Sequence, residues 1–171
     1  MTEYSKDDFV KDFFKRTLHN LRQYDAKHIE DPKNYQYEVT QLINSFLGLV
    51  IFSKERNEVT SKELNEFIRG KFKSTYNNNK NSDDYCRHLR NAIAHRRIDS
   101  KSMPGANGQM IIHSLQFRDR NTRQKPVPEF SSNLTICEIK EFIRLLSKMI
   151  LSETDYQQFY SDSTAHCQLT T

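Results

Sequence analysis

The chain has 171 residues, 36% of them hydrophobic, and a formal net charge of +4, which fits one domain with a lean core that a second copy could complete. The charge is too small to mark a nucleic-acid binder unless it is clustered, and three widely spaced cysteines without a C-x-x-C (Cys86, Cys137 and Cys167) argue against a zinc site or a disulfide framework and fit a reducing cytosol. The polar, acidic start Met1–Asp8 is no signal peptide, and the apolar run Leu42–Phe52 falls short of the roughly 18 residues that span a membrane, so the expected location is cytoplasmic.

Ser5 followed by Asp8 reads as a helix start, and Phe9, Val10, Phe13, Phe14, Leu18, Leu21 and Tyr24 recur at three- and four-residue steps, predicting an amphipathic helix over about 6–27. Asp31-Pro32 breaks it. The next helix, about 35–53, becomes apolar nearly all round from Leu42 to Phe52, with Asn44 and Gly48 forming a small stripe for close approach. Such a helix must be buried on every side, either against its symmetry mate in a homodimer or by its own chain. Thr60 with Glu63 predicts a capping box for a short helix to about 73, and Asn77–Asn81 a polar turn. Ser82, with Asp83 and Asp84 in the first turn, predicts the start of a helix over about 82–97 whose core face carries Cys86, Leu89 and Ile93.

Met103–Gly108 reads as a loop, Ile111–Phe117 as a strand of imperfect alternation, 118–128 as a long connection, and Glu129–Leu134 as a partner strand. Thr135 with Glu138 opens a last amphipathic helix, to about 152, and 153–171 reads as a flexible tail. The expected architecture is mainly α: one domain over 1–152, a bundle of about four to five helices with a small β-hairpin inserted before the last.

The segment Arg87-His88-Leu89-Arg90-Asn91-Ala92-Ile93-Ala94-His95-Arg96-Arg97 holds four arginines and two histidines. Cleavage of RNA by its own 2′-hydroxyl needs a base for the hydroxyl proton and a cation for the charge growing on phosphorus. Imidazole exchanges protons near neutral pH, which suits His95 to the first task. Guanidinium is always charged and grips phosphate with two N–H groups, which suits Arg90 to the second. Asn91 could orient the histidine or hold a phosphate oxygen, and Arg87, Arg96 and Arg97 would attract the RNA backbone. Five residues separate Arg90 from His95, about 140° on an ideal helix, so the pair converges only if the helix ends near His95. A competing reading makes His95 no more than a helix C-cap, and another makes the basic run a solvated face. The remaining histidines lack metal-ligand spacing, and the four glycines form no phosphate loop; no metal or cofactor is expected.

Arg90-Asn91-Ala92-Ile93-Ala94-His95 resembles the R-x(4–6)-H motif of the HEPN superfamily. Tyr37–Leu49 followed by His88–His95 is similar to a small stand-alone HEPN group of bacteria and plasmids, over about residues 1–152. The resemblance implies a helical domain and a metal-independent endoribonuclease that leaves 2′,3′-cyclic phosphate ends, often a toxin–antitoxin or phage-defence effector. It further implies a homodimer with the two motifs facing each other, Arg90 and His95 as the catalytic pair with Asn91 beside them, RNA as substrate, and a cognate antitoxin as a further partner. Some relatives bind RNA or a nucleotide without cutting, which is the alternative function. Many HEPN toxins continue H-x-Y, with a tyrosine that an antitoxin adenylylates; here Arg96-Arg97 follow His95, which puts that route of control in doubt.

Overall fold

The computed structural model describes residues 9–31, 38–53, 61–76, 81–105, 108 and 110–160. The helices are α1 (Phe9–Glu30), α2 (Glu38–Ser53), α3 (Lys62–Ile68), α4 (Ser82–Ala94), α5 (Ile136–Ile150) and α6 (Glu153–Tyr160). The strands are β1 (Phe72–Ser74), β2 (Ile98–Pro104), β3 (Met110–Arg120) and β4 (Glu129–Thr135), in one antiparallel sheet ordered β1-β4-β3-β2. The architecture is therefore mixed α/β, and the sheet is larger than the expected hairpin.

Two strands account for that correction. β1 is three residues long, too short to show a period of two, and it is recruited to β4 through the pairs Phe72↔Ser132 and Ser74↔Phe130. β2 is polar and exposed for most of its length, so no apolar alternation announces it; pairing with β3 makes it a strand. The β2–β3 register shifts between Lys101 and Ser102, which pair with Ser114 and Ile112 and leave His113 as an extra residue. That bulge interrupts the alternation of β3.

The buried face of the sheet carries Leu115 and Phe117 of β3 and Phe130, Ser132 and Leu134 of β4, while Arg118, Arg120 and Asn133 point to solvent. Alternation of this kind is what an antiparallel sheet with one covered face requires. Helices α4 and α5 pack on the sheet, and α2 packs on both helices and on α1. Phe46 of α2 joins the layers: its ring lies 5.9 Å from Phe117 and 5.6 Å from Phe142. The chain's own helices thus bury Leu42, Phe46, Leu49 and Val50 of α2. Of the small stripe, Gly48 is used for close approach, since a Cβ there would meet the Phe13 ring at 3.1 Å, whereas Asn44 is exposed.

Helix ends follow local chemistry. Thr135 and Glu138 form the expected capping box of α5. The cap of α3 is Ser61, whose side chain accepts from Leu64 N at 3.0 Å, while Thr60 lies outside the described residues. The cap of α4 is Asn81 rather than Ser82, with Oδ1 accepting from Asp84 N at 2.9 Å. The expected helix start at Ser5–Asp8, the break at Pro32 and the turn at 77–80 also lie outside the described residues. Residues 153–160, expected in the tail, form α6 instead. Tyr156 is buried and Arg144 donates to its hydroxyl at 2.8 Å; Arg22 donates to Gln158 O at 2.9 Å. Cys86 is buried and outside any disulfide. Among the described residues no helix is long and apolar enough to cross a membrane.

Phe46→Ala removes the ring that joins α2, β3 and α5 and is expected to cost about 3–5 kcal/mol. Ile51→Ser, on the exposed side of the same helix (38% exposed), should stay within about 0.5 kcal/mol. Urea denaturation of both variants measures the difference.

Candidate active site

Helix α4 stops at Ala94, and His95 is its C-cap with φ −96° and ψ 10°. Arg96 N donates to Ile93 O at 3.1 Å and Arg97 N to Ala92 O at 2.8 Å. These two bonds are the Schellman closure, which needs a left-handed residue between cap and exit. Arg96 holds that position with φ 54°, a conformation that favours glycine. The chain then enters β2, and Arg118 N donates to Arg97 O at 3.0 Å, so the helix end and the sheet are joined within three residues of His95.

The segment 87–97 splits into an outer and an inner set. His95 and Arg96 are exposed and Arg90 is half-buried. Among the described residues, no hydrogen bond or ion pair engages the side chains of Arg90 and His95. The helix thus ends where convergence of this pair requires, and His95 is also a helix cap, as the competing reading had it.

The inner set gathers on Asp119, which is 5% exposed. Its Oδ2 lies 2.7 Å from His88 Nδ1 and accepts from Asn91 Nδ2 at 3.0 Å. Arg97 Nη1 lies 3.6 Å from its Oδ1 and donates to Arg120 O at 3.0 Å. His88 is almost fully buried, with its ring stacked on Phe130 at 4.7 Å and against Tyr76 at 4.4 Å. Its other nitrogen, Nε2, is 3.4 Å from Arg87 Nη2, and that same Nη2 donates to Asp84 Oδ1 at 2.9 Å. A guanidinium only donates, so Nε2 must accept, and the geometry assigns His88 the neutral tautomer with its proton on Nδ1. Burial agrees: it pushes the His88 pKa down, and the hydrogen bond to Asp119 opposes it only in part.

These contacts add partners to the expected cluster. The Asn91 amide is turned to Asp119, not to His95. Arg87 and Arg97 are both part-buried and ion-paired, to Asp84 and Asp119, so of the three steering arginines Arg96 is the exposed one. Asp119 and His88 were missed. The signal for Asp119 was the alternation itself: Leu115, Phe117 and Asp119 lie two apart, which puts a carboxylate on the buried face if the strand is carried to Arg120.

A cavity of about 300 Å³ lies beside Arg97 and is lined also by Asp99, Arg118, Asp119, Arg120 and Glu129. Arginines and carboxylates balance there, Arg118 bonding Asp99 at 2.6 Å, and neither Arg90 nor His95 lines it. Among the described residues no group of three or more His, Cys, Asp and Glu side chains is placed to hold a metal ion.

Helix α4 thus ends at His95, five positions after Arg90, beside a four-stranded antiparallel sheet. A family model described as HEPN pEK499 p136 matches residues 1–157, and the chain belongs to this HEPN family. No curated protein and no solved structure matches the chain.

Because His88 has a lowered pKa in the fold, the unfolded chain binds the proton more readily. Stability from this group is present above about pH 6.5, the ordinary histidine value, and is lost as pH falls through the lower folded value. Denaturation midpoints from pH 7.5 to about 5 should decline, and His88→Gln should flatten that stretch of the curve. Arg96→Gly relieves the left-handed strain and should raise stability by about 0.5–1 kcal/mol, net of the extra freedom of the unfolded chain; the same measurement at pH 7.5 reads it.

Proposed function

We propose that the protein is a metal-independent endoribonuclease of the HEPN type. The observation that carries the reading is the end of α4 between Arg90 and His95, with His95 exposed, Arg90 half-buried, and neither side chain engaged in a hydrogen bond or ion pair among the described residues. His95 takes the proton of a ribose 2′-hydroxyl, and the oxygen attacks the adjacent phosphorus. Arg90 holds the phosphoryl oxygens as negative charge grows in the transition state. The bond to the 5′-oxygen of the next nucleotide breaks, leaving a 2′,3′-cyclic phosphate, and the protonated imidazole returns a proton to the leaving oxygen. Arg96, exposed beside His95, attracts the backbone; Arg87 and Arg97 add to the field while their guanidinium groups serve Asp84 and Asp119.

The biological setting we infer is a toxin–antitoxin or phage-defence system in the cytoplasm, with RNA as substrate and an antitoxin as partner. A homodimer that brings two copies of the α4 end together is part of this reading. It rests on the family; of the apolar girth of α2, the chain buries Leu42, Phe46, Leu49 and Val50 and leaves Ile51 exposed.

A second reading, RNA or nucleotide binding without cleavage, draws support from Asn91: its amide serves Asp119 and leaves His95 without that orienting partner. The two readings separate in one experiment. Purified protein is incubated with RNA in EDTA, and the ends are analysed. His95→Ala and Arg90→Ala should each lower cleavage by about 10²–10³-fold with the denaturation midpoint unchanged. Equal cleavage by wild type and both variants sinks the assignment. Salt-sensitive binding without cyclic phosphate products establishes the second reading instead.

A further inference from the structure

We propose that Asp119 is the positioning residue of the Arg90–His95 pair: one buried carboxylate on β3 that ties down the motif helix on both sides of the point where it unwinds. The inference rests on the ribonuclease reading and adds to it a residue outside the motif.

The contacts bracket the pair. His88 and Asn91 reach Asp119 from the helix on either side of Arg90, at 2.7 and 3.0 Å. Arg97 reaches it from the first residues after the helix, at 3.6 Å, so His95 lies between two arms of the same carboxylate. Arg97 is fixed by its backbone as well, through Ala92 O and Arg118 N. Helix ends otherwise fray, and misplacing a reacting group by about 1 Å costs on the order of 10²-fold in rate. Asp119 itself is too buried to reach RNA, so it acts through the residues it holds.

The donors around it are complementary. Neutral His88 gives one N–H, Asn91 a second, and Arg97 supplies the positive charge. Asp119→Asn keeps the size but sets an NH2 group against donors that need an acceptor, and it removes the charge that faces Arg97. Any loss should be largest at the helix end, because the ring contacts His88–Phe130, Phe130–Tyr85 and Tyr85–Phe142 stand between Asp119 and α5.

The experiment combines amide hydrogen exchange with single-turnover cleavage at saturating RNA, on the full chain. Asp119→Asn should speed exchange at the amides of His95, Arg96 and Arg97 by about tenfold or more, with α5 amides within about twofold of wild type. Cleavage should fall by about tenfold or more, and RNA affinity should stay within about threefold, because no phosphate contact is removed. Should Asp119→Asn not fold, Arg97→Gln removes one arm at a part-exposed position and should give the same local rise in exchange and the same loss of cleavage rate. Unchanged exchange at residues 95–97 overturns the proposal. So does an equal rise throughout α5, which marks general destabilisation, or a local rise with cleavage unaltered. If the wild type cuts no RNA, the ribonuclease reading fails by itself, and the exchange comparison alone then decides whether Asp119 holds the helix end.

Discussion

A carboxylate buried under a sheet must be paired, because taking a charge out of water costs several kcal/mol unless partners replace the solvent. Asp119 meets that constraint with groups drawn from a single stretch of chain: the His88 ring, the Asn91 amide and the Arg97 guanidinium. Meeting all three at once restricts how α4 can rotate and slide on β3. The placement of the helix on the sheet, the tautomer of His88 and the route of Arg97 into β2 all follow from that requirement. Apolar packing of Cys86, Leu89 and Ala92 drives α4 onto the sheet, but it is far less directional than the three polar bonds.

The basic stretch that first looked like one patch of charge therefore does two different things. Its inner half is spent on the fold: Arg87 bridges Asp84 and His88, and Arg97 answers Asp119. Its outer half is the half-buried Arg90 together with His95 and Arg96, which are exposed at the helix terminus. Arg96 takes the left-handed position of the closing turn, which an arginine occupies at some cost in strain. A charged side chain at that point keeps cationic character beside His95 where glycine would be the easier residue. Strain accepted beside a proposed catalytic histidine is consistent with the view that the stretch serves chemistry as well as stability.

Long-range pairing separates the elements that could be read locally from those that could not. The capping box at Thr135, the stripe of α5, the core face of α4 and the partner strand expected over Glu129–Leu134 are each written in residues within a few positions of one another, and each stands in the structure. β1 and β2 are not. Phe72–Ser74 becomes a strand because β4 lies beside it, and Ile98–Pro104 because β3 does. Helix α6 was hidden for a related reason: Tyr156 is its only fully buried side chain, so no stripe marks it, and its place comes from Arg22 and Arg144 far away in sequence. The apolar girth of α2 was legible as a need for burial on all sides, yet nothing local said whose atoms would supply it.

Residues close in sequence determined what this protein could be. The spacing of Arg90 and His95, the polar Asn91 between them and the helical pattern around them placed it among HEPN proteins, because helix period and motif chemistry are short-range properties. The tertiary structure decided which members of the motif face outward and which are spent on holding it. Asp119 lies 24 positions beyond His95 in the numbering, and its role exists only because strand pairing carries it under α4. A carboxylate's meaning depends on what it is buried against, and that is fixed by the fold, not by its neighbours in the chain.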